Sequence, residues 1–260
     1  KVEAALGYQD QLLIMSEPYA LWAIQSGNKK VTEILSFVNT GQGTIISPDI
    51  NKFRELKLRL LNGSHTFSCG VASLAGFDTV KQAMANEDFA NYIKLLMNDA
   101  IIPSISGEEL STEVAKQFAA KVLDRYSNPF LEHKWSSICV QYSSKMFMRN
   151  VFLITNYFQR FGQASPLMSL GMAAHILYMR CQPGADSIYY GMKDEKKYAI
   201  TDENAAKYSK AWEEDSIQLT VKSILANEDL WQEDLNLLNG FLADVCNWLL
   251  ILLEKGATVA

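Results

Sequence analysis

Apolar residues recur at intervals of three and four positions along most of this 260-residue chain, and this spacing constrains the fold more than any other feature. Between residues 78 and 102 the spacing includes Val80, Phe89 and Ile93. An apolar stripe of this period is typical of an amphipathic helix that packs on a core. The chain after about residue 57 is therefore predicted to be mainly α.

Local signals give the expected ends of several helices. Asp78 fits an N-cap and Pro103 a helix end, so one helix is predicted from 78 to 102. A run from Ser111 to Tyr126 has the same period, and Asn128-Pro129 is predicted to open a further helix that reaches residue 142. Another predicted helix starts at Pro166, and the segment IYYGMKDEKKYAI is predicted to be a hairpin with a charged tip.

The first 56 residues have a different sequence pattern from the rest of the chain. LLIMSEP, WAIQSG and TIISPDI are short extended stretches broken by Pro or Gly, which predicts strands. The dinucleotide fingerprint GxGxxG is absent, and its nearest match, GQGTII at 41–46, has Ile46 at the third glycine position. We interpret this match as a loop that leads into a strand. Residues 1–56 are thus predicted to be a β-containing lead-in to a helical domain at 57–260.

Composition excludes several functional classes. The net charge of −5 provides no long-range attraction to nucleic acid or to an anionic membrane. The longest apolar run of the membrane type, NWLLILL at 247–253, is too short to cross a bilayer. The four cysteines are widely spaced without a CxxC pair, which predicts reduced thiols in a cytoplasmic protein and no metal site.

The segment KLRLLNGSHT carries an amine, an amide and an imidazole, at Lys57, Asn62 and His65. On an α-helix Asn62 lies about 140° and His65 about 80° from Lys57, so one side of the helix holds all three, with Lys57 and His65 about 12 Å apart along the axis. These groups suit the reduction of a ketone: a lysine can donate the proton, and the amide and imidazole can polarise the carbonyl. The competing interpretation is structural, with a surface lysine, an Asn-Gly turn and a hydrogen-bonded histidine.

KLRLLNGSHT, followed by LAGFDTVKQAMANEDF, IIPSI and NPFLEHKWSSI, resembles the signature of the mannitol dehydrogenase family of polyol-specific long-chain dehydrogenases. The resemblance implies that Lys57 is the general acid–base and that Asn62 and His65 hold and polarise the carbonyl. It also implies substrate contacts from Lys145 and Arg149, whose cationic groups suit a sugar-acid carboxylate.

The resemblance further implies a multi-helical C-terminal substrate domain, like that of 6-phosphogluconate dehydrogenase, with NAD as the cofactor. Family members begin with a Rossmann domain. The absent fingerprint and the first residue, which is not Met, predict that this chain lacks most of that domain and that residues 1–56 are its remnant. The expected partner in catalysis is the missing N-terminal nucleotide-binding domain, and the fragment alone is expected to be inactive.

SEPYALWAIQ and the ending ILLEKG are most similar to family members that act on hexuronates. This similarity implies interconversion of D-tagaturonate and D-altronate. Fructuronate, mannitol and fructose remain open as substrates, and a non-catalytic helical domain for interaction or ligand binding remains open as another class. A structural role is favoured for His133, and a core position for His175, which lies in the apolar segment MAAHILYM.

Overall fold

The computed structural model describes residues 2–14, 20–41 and 43–258. The chain divides into two compact units, residues 1–53 and 54–260. The sequence placed this boundary after residue 56. That the first unit derives from a cofactor domain stays a prediction.

Unit 1 is built around two parallel strands. β1 and β2 pair from Trp22 with Thr44 to Gln25 with Ser47. These strands confirm the predictions made from WAIQSG and TIISPDI, whereas most of LLIMSEP lies outside the described residues. The elements of this part of the chain are α1 (Val2–Leu6), β1 (Trp22–Gln25), α2 (Lys29–Ile34), a 3₁₀ turn (Ser36–Thr40), β2 (Thr44–Ser47) and α3 (Asn51–Glu55), which contains the end of the unit.

Unit 2 is helical, as predicted. Three of its helices contain π-helical segments, here called π1 (Leu56–Gly63), π2 (Leu96–Ile101) and π3 (Phe147–Val151). Its α-helices are α4 (Ser64–Ala75), α5 (Val80–Met84), α6 (Glu87–Leu95), α7 (Ile102–Ile105), α8 (Thr112–Tyr126), α9 (Trp135–Ile138), α10 (Tyr142–Met146), α11 (Phe152–Phe161), α12 (Pro166–Tyr178), α13 (Ala205–Ala211), α14 (Ile217–Leu225), α15 (Glu228–Trp231) and α16 (Phe241–Lys255), and a 3₁₀ turn covers Leu235–Leu237.

The core is centred on α4, α12 and α16, whose contacts are the most extensive in the unit. Two glycines allow α4 and α12 to approach closely. A Cβ on Gly70 would lie 2.9 Å from the carbonyl oxygen of Ala174, and one on Gly171 would lie 2.6 Å from the ring of Phe67. Such contacts fix the position of α4, and α4 begins with the residues of the candidate site.

A small antiparallel sheet follows α12. It consists of β3 (Cys181–Pro183), β4 (Tyr189–Lys193) and β5 (Lys196–Ile200), in that order. β4 and β5 form the predicted hairpin, which turns at Asp194 and Glu195. The chain leaves β5 toward α13, and this exit segment contacts the start of α10.

Two predicted helices differ from the observed ones. The helix expected at 78–102 is interrupted at Asn86, whose side chain accepts the N–H of Phe89 and starts a second helix, and Pro103 lies in the first turn of α7. The helix expected from Pro129 to residue 142 is reduced to the short α9, because the backbone before it pairs with another segment: Val80 donates to the His133 carbonyl at 2.9 Å.

Candidate active site

Segments π1 and π3 hold each other through side-chain hydrogen bonds. The amide nitrogen of Asn150 donates to the Gly63 carbonyl at 3.2 Å, and Arg149 Nη1 donates to Thr66 Oγ1 at 3.0 Å. Short π-helical stretches often mark functional positions, since they change which side chains face a neighbour. Here they join the segment KLRLLNGSHT to the segment SSKMFMRN.

Arg59 strengthens the same junction from the other side. Its Nη1 donates to the carbonyls of Met148, at 3.0 Å, and Arg149, at 2.7 Å. Its Nε pairs with Glu55 at 2.9 Å, and its guanidinium lies 4.5 Å from the ring centre of Phe152. A buried arginine is tolerated when its donors are satisfied in this way. Arg59 therefore helps to fix the backbone that carries Arg149.

A cavity of about 210 Å³ lies beside this junction. It is much larger than the ~15 Å³ that a single water molecule needs. None of its lining residues, all of them in the described part of the chain, is acidic, and three are Arg or Lys. The lining residues are Leu61, Asn62, His65, Val80, Arg125, Tyr126, Leu131, His133, Ser137, Ile138, Lys145 and Arg149.

His65 lies at the wall of the cavity among aromatic rings. Its ring stacks on Tyr126 with centroids 4.1 Å apart, and meets the edges of His133 and Trp135 at 5.3 and 5.9 Å. Burial, and then the positive charges of His133 and two arginines, hold the pKa of His65 well below 6.5. The imidazole is therefore neutral at neutral pH. Its buried Nε2 has no hydrogen-bond partner among the described residues, so a polar atom with unused hydrogen-bonding capacity belongs to a residue of the cavity wall.

Tyr126 forms the floor under His65 and is itself fixed. Its hydroxyl donates to the Leu61 carbonyl at 2.7 Å and lies 2.8 Å from the Ser64 hydroxyl. Burial raises the pKa of Tyr126, so the phenol stays neutral. The bond to Leu61 connects α8 to π1 one residue before Asn62. Tyr126 thus helps to set the position of Asn62 as well as the plane of the histidine ring.

Lys145 and Arg149 place two cations in the cavity wall. Lys145 Nζ donates to the Ile138 carbonyl at 3.0 Å. Burial, followed by the Arg149 charge, lowers the pKa of Lys145, and burial also lowers the pKa of Arg149. A partly desolvated pair of cations attracts an anion more strongly than the same pair in water.

The structure brings together four of the five predicted site residues. Asn62, His65, Lys145 and Arg149 line the cavity, whereas Lys57 is exposed and is not among the lining residues. The helical projection assumed 3.6 residues per turn, but Lys57 and Asn62 lie in π1, which has a wider turn. The predicted catalytic role of Lys57 stays a prediction.

Sequence reasoning missed Arg125 and Tyr126, and it favoured a structural role for His133, which lies in the cavity wall. One residue, Ser127, separates Arg125 and Tyr126 from the Asn-Pro motif, and only this proximity could have drawn attention to them. His175 is a core residue, as predicted: it is fully buried, and its Nε2 lies 2.7 Å from the Tyr208 hydroxyl.

The described residues offer no metal site, because they contain no group of three His, Cys, Asp or Glu side chains that could hold an ion. Within the same part of the chain, no helix is long and apolar enough to cross a membrane. Gly43 is explained by chain packing, because a Cβ at this position would overlap the Ala20 backbone. All four cysteines are free thiols.

The sequence-family model for the mannitol dehydrogenase C-terminal domain matches residues 49–251 of this chain. Altronate oxidoreductase of Halalkalibacterium halodurans is 31% identical over 258 residues, which are 96% of this chain and 49% of that protein. Altronate oxidoreductase of Bacillus subtilis is also 31% identical, over 91% of this chain and 46% of that protein. The chain thus spans about half the length of these relatives.

Two solved structures have the same fold. Pseudomonas fluorescens mannitol 2-dehydrogenase, in a ternary complex with NAD and D-mannitol, matches with a TM-score of 0.70 at 22% identity, over 84% of this chain and 41% of that chain. Substrate-free D-sorbitol dehydrogenase matches with a TM-score of 0.76 at 18% identity, over 98% and 49%. At these identities the likeness concerns the fold alone.

Proposed function

This chain belongs to the mannitol dehydrogenase family, of which it carries the C-terminal domain, and on that premise we propose that its parent protein reduces the ketone of a hexuronate with NADH. The proposed reaction interconverts D-tagaturonate and D-altronate. The altronate oxidoreductases among its relatives support this choice of substrate. The observation that carries the proposal is a cavity in which a neutral histidine and an amide lie beside three cationic side chains.

The neutral groups provide the means to polarise a carbonyl. Asn62 and His65 line the same cavity, and the unpartnered Nε2 of His65 is buried there. A hydrogen bond from a preorganised donor strengthens as negative charge develops on the ketone oxygen. The low pKa of His65 suits this role, because a neutral ring can donate to the oxygen without carrying its own charge into the site.

The cationic groups favour an acid over a neutral sugar. Arg125, Lys145 and Arg149 approach the cavity from two helical stretches. A guanidinium binds a carboxylate through two parallel hydrogen bonds, which gives both affinity and orientation. We assign the carboxylate of the hexuronate to this cationic side of the cavity.

Lys57 is proposed as the proton donor. When bound, the nicotinamide of NADH would supply the hydride to the ketone carbon. The ammonium of Lys57 would then give one proton to the ketone oxygen, which yields the alcohol and a neutral amine. In the direction of oxidation, the neutral amine would take the hydroxyl proton. The Lys57 side chain is exposed, and this role requires it to reach a substrate that protrudes from the cavity.

The sequence contains no GxGxxG motif, and close packing on the Ala20 backbone accounts for Gly43. We therefore assign NADH binding to the part of the parent protein that this chain does not contain. The free thiols support a cytoplasmic location for the parent protein.

The test is NADH consumption by the full-length protein, with tagaturonate, fructuronate and fructose supplied separately. Turnover of tagaturonate well above the other two supports the proposal in full. Turnover of fructuronate keeps the acid-binding assignment and changes the substrate. Preference for fructose contradicts the role of the cationic side. Failure both to bind NADH and to turn over any of the three favours a non-catalytic domain.

A further inference from the structure

The helix that carries Lys145 begins without a cap of its own. α10 starts at Tyr142, directly after Gln141, which has a left-handed backbone with φ of 52°, and no side chain of that residue caps the helix. The first N–H groups of a helix have no partner inside it and need an acceptor from elsewhere. For α10 the acceptor comes from a segment 59 residues away in sequence.

Asp202 supplies this acceptor. Its Oδ2 accepts the backbone N–H of Ser143 at 2.7 Å, and its Oδ1 accepts the Ser143 hydroxyl at 2.6 Å. The carboxylate is also held from its own side, because Oδ1 accepts the N–H of Asn204 at 2.9 Å. Asn204 Nδ2 donates to the same Ser143 hydroxyl at 3.0 Å. Ser143 is thus fixed by both its backbone and its side chain.

The neighbours of Asp202 extend this contact. Gln141 donates its N–H to the Thr201 carbonyl at 2.8 Å, and the Ser144 hydroxyl donates to Glu203 at 2.8 Å. Residues 201–204 follow directly on β5, and we call them the 201–204 turn. The turn makes hydrogen bonds to Gln141, Ser143 and Ser144, which are three of the four residues before Lys145. It therefore fixes the direction in which α10 leaves it.

We propose that Asp202 is a positioning residue, which holds the start of α10 so that Lys145 presents its ammonium to the anionic end of the substrate. This inference rests on the proposed function, because it uses the substrate role of Lys145. The Asp202 charge also raises the pKa of Lys145, against the larger lowering by burial and by Arg149. The hairpin of β4 and β5, which leads into the 201–204 turn, thereby contributes indirectly to substrate binding.

A double-mutant cycle in the full-length enzyme tests the inference, with tagaturonate or the preferred hexuronate as substrate. The variants are Asp202→Ala, Lys145→Ala and the double variant. Asp202→Ala should raise KM for the hexuronate about 10-fold, since charged hydrogen bonds are lost, and should leave KM for NADH unchanged. In the Lys145→Ala background the same substitution should change KM less than about 2-fold, because the two residues act as one unit.

Asp186→Ala is the matched control. The Asp186 carboxylate also accepts an N–H and a hydroxyl, but from Ile188 and Tyr190 in the sheet region. It should leave KM unchanged. If Asp202→Ala does not fold, Asp202→Asn replaces it, because the amide keeps the shape and an acceptor for Ser143 while losing the charge and one acceptor.

The outcomes separate this inference from the proposed function. Equal increases in KM in both backgrounds, or a lower thermal midpoint with an unchanged KM, would show that Asp202 only stabilises the fold. A Lys145→Ala variant with normal KM would overturn the substrate role of Lys145, and the role of Asp202 with it. The proposal that the enzyme reduces a hexuronate would still hold in that case, supported by Arg125 and Arg149.

Discussion

The side-chain amide of Asn150 donates a hydrogen bond of 3.2 Å to the backbone carbonyl of Gly63, between two π-helical segments that both border the cavity. Both residues are buried. A typical hydrogen bond inside a protein contributes about 0.5–1.5 kcal/mol to stability. This single bond therefore connects the stability of the domain to the geometry of the site.

Replacing Asn150 with Leu should lower the free energy of unfolding by about 0.5–1.5 kcal/mol, because a buried hydrogen bond between π1 and π3 is lost. Urea unfolding measures the change. Asn98→Leu is the control: Asn98 also donates to a backbone carbonyl, that of Lys94, but at an exposed position where water can replace it. Equal losses in the two variants would contradict the importance of burial at Gly63.

Replacing Lys57 with Ala should reduce turnover by the full-length enzyme about 10²- to 10⁴-fold, the usual contribution of a general acid–base. The variant should stay folded, because the Lys57 side chain is exposed. Steady-state rates and circular dichroism measure the two effects. Lys94→Ala removes another exposed helical lysine and should be neutral. Near-normal turnover without Lys57 would end its assignment.

Replacing Arg125 with Ala should raise KM for a hexuronate about 10-fold or more, because a charge-assisted hydrogen bond is lost. KM for a neutral ketose should change much less. Lys121→Ala is the matched control, since it removes a positive charge one turn earlier on α8, from a residue that does not line the cavity. If both substrates respond equally to Arg125→Ala, the residue does not recognise the carboxylate.

The domain should lose stability as the pH falls below about 6.5. The pKa of His65 is held well below this value, and burial lowers that of His175 to about 3. The unfolded chain therefore binds protons that the folded state excludes. The stabilisation is fully present above about pH 6.5 and declines toward the folded pKa, by up to about 1.4 kcal/mol per pH unit for each histidine.

Urea unfolding at about pH 7, 6 and 5 measures this dependence. His65→Phe should make it less steep, since one of the two buried imidazoles is removed. His175 is unchanged in this variant, so part of the dependence should remain. Identical pH profiles for the two proteins would contradict the depressed pKa of His65.

Short sequence signals predicted correctly those elements that depend mainly on neighbouring residues. Ser111 caps α8, which ends at Tyr126 as the periodicity indicated. The hairpin of β4 and β5 also forms where alternation and a charged tip predicted it. The helix expected from Pro129 fails because residues 133–135 bond to a segment about fifty positions earlier. No local pattern carries that information.

The candidate site likewise has residues that a local segment of the sequence reveals and residues that only the packing of distant helices brings in. Asn62 and His65 could be found because one short segment carries both. Arg125 and Tyr126 reach the cavity from α8, and their role depends on how two distant helices pack. The position of Lys57 could not be derived because the projection assumed α-helical winding, whereas residues 56–63 form a π-helix. The residue types in this segment do not by themselves indicate that it winds as a π-helix.

The π-helical winding of residues 56–63 has a consequence for how this site can evolve. Each residue of an α-helix advances by about 100° around the axis. Removing one residue from this segment would let it relax to ordinary winding and rotate Lys57 relative to His65. The angle between the amine and the imidazole thus depends on residue count. Insertions and deletions here would change the chemistry of the site without altering any of its side chains.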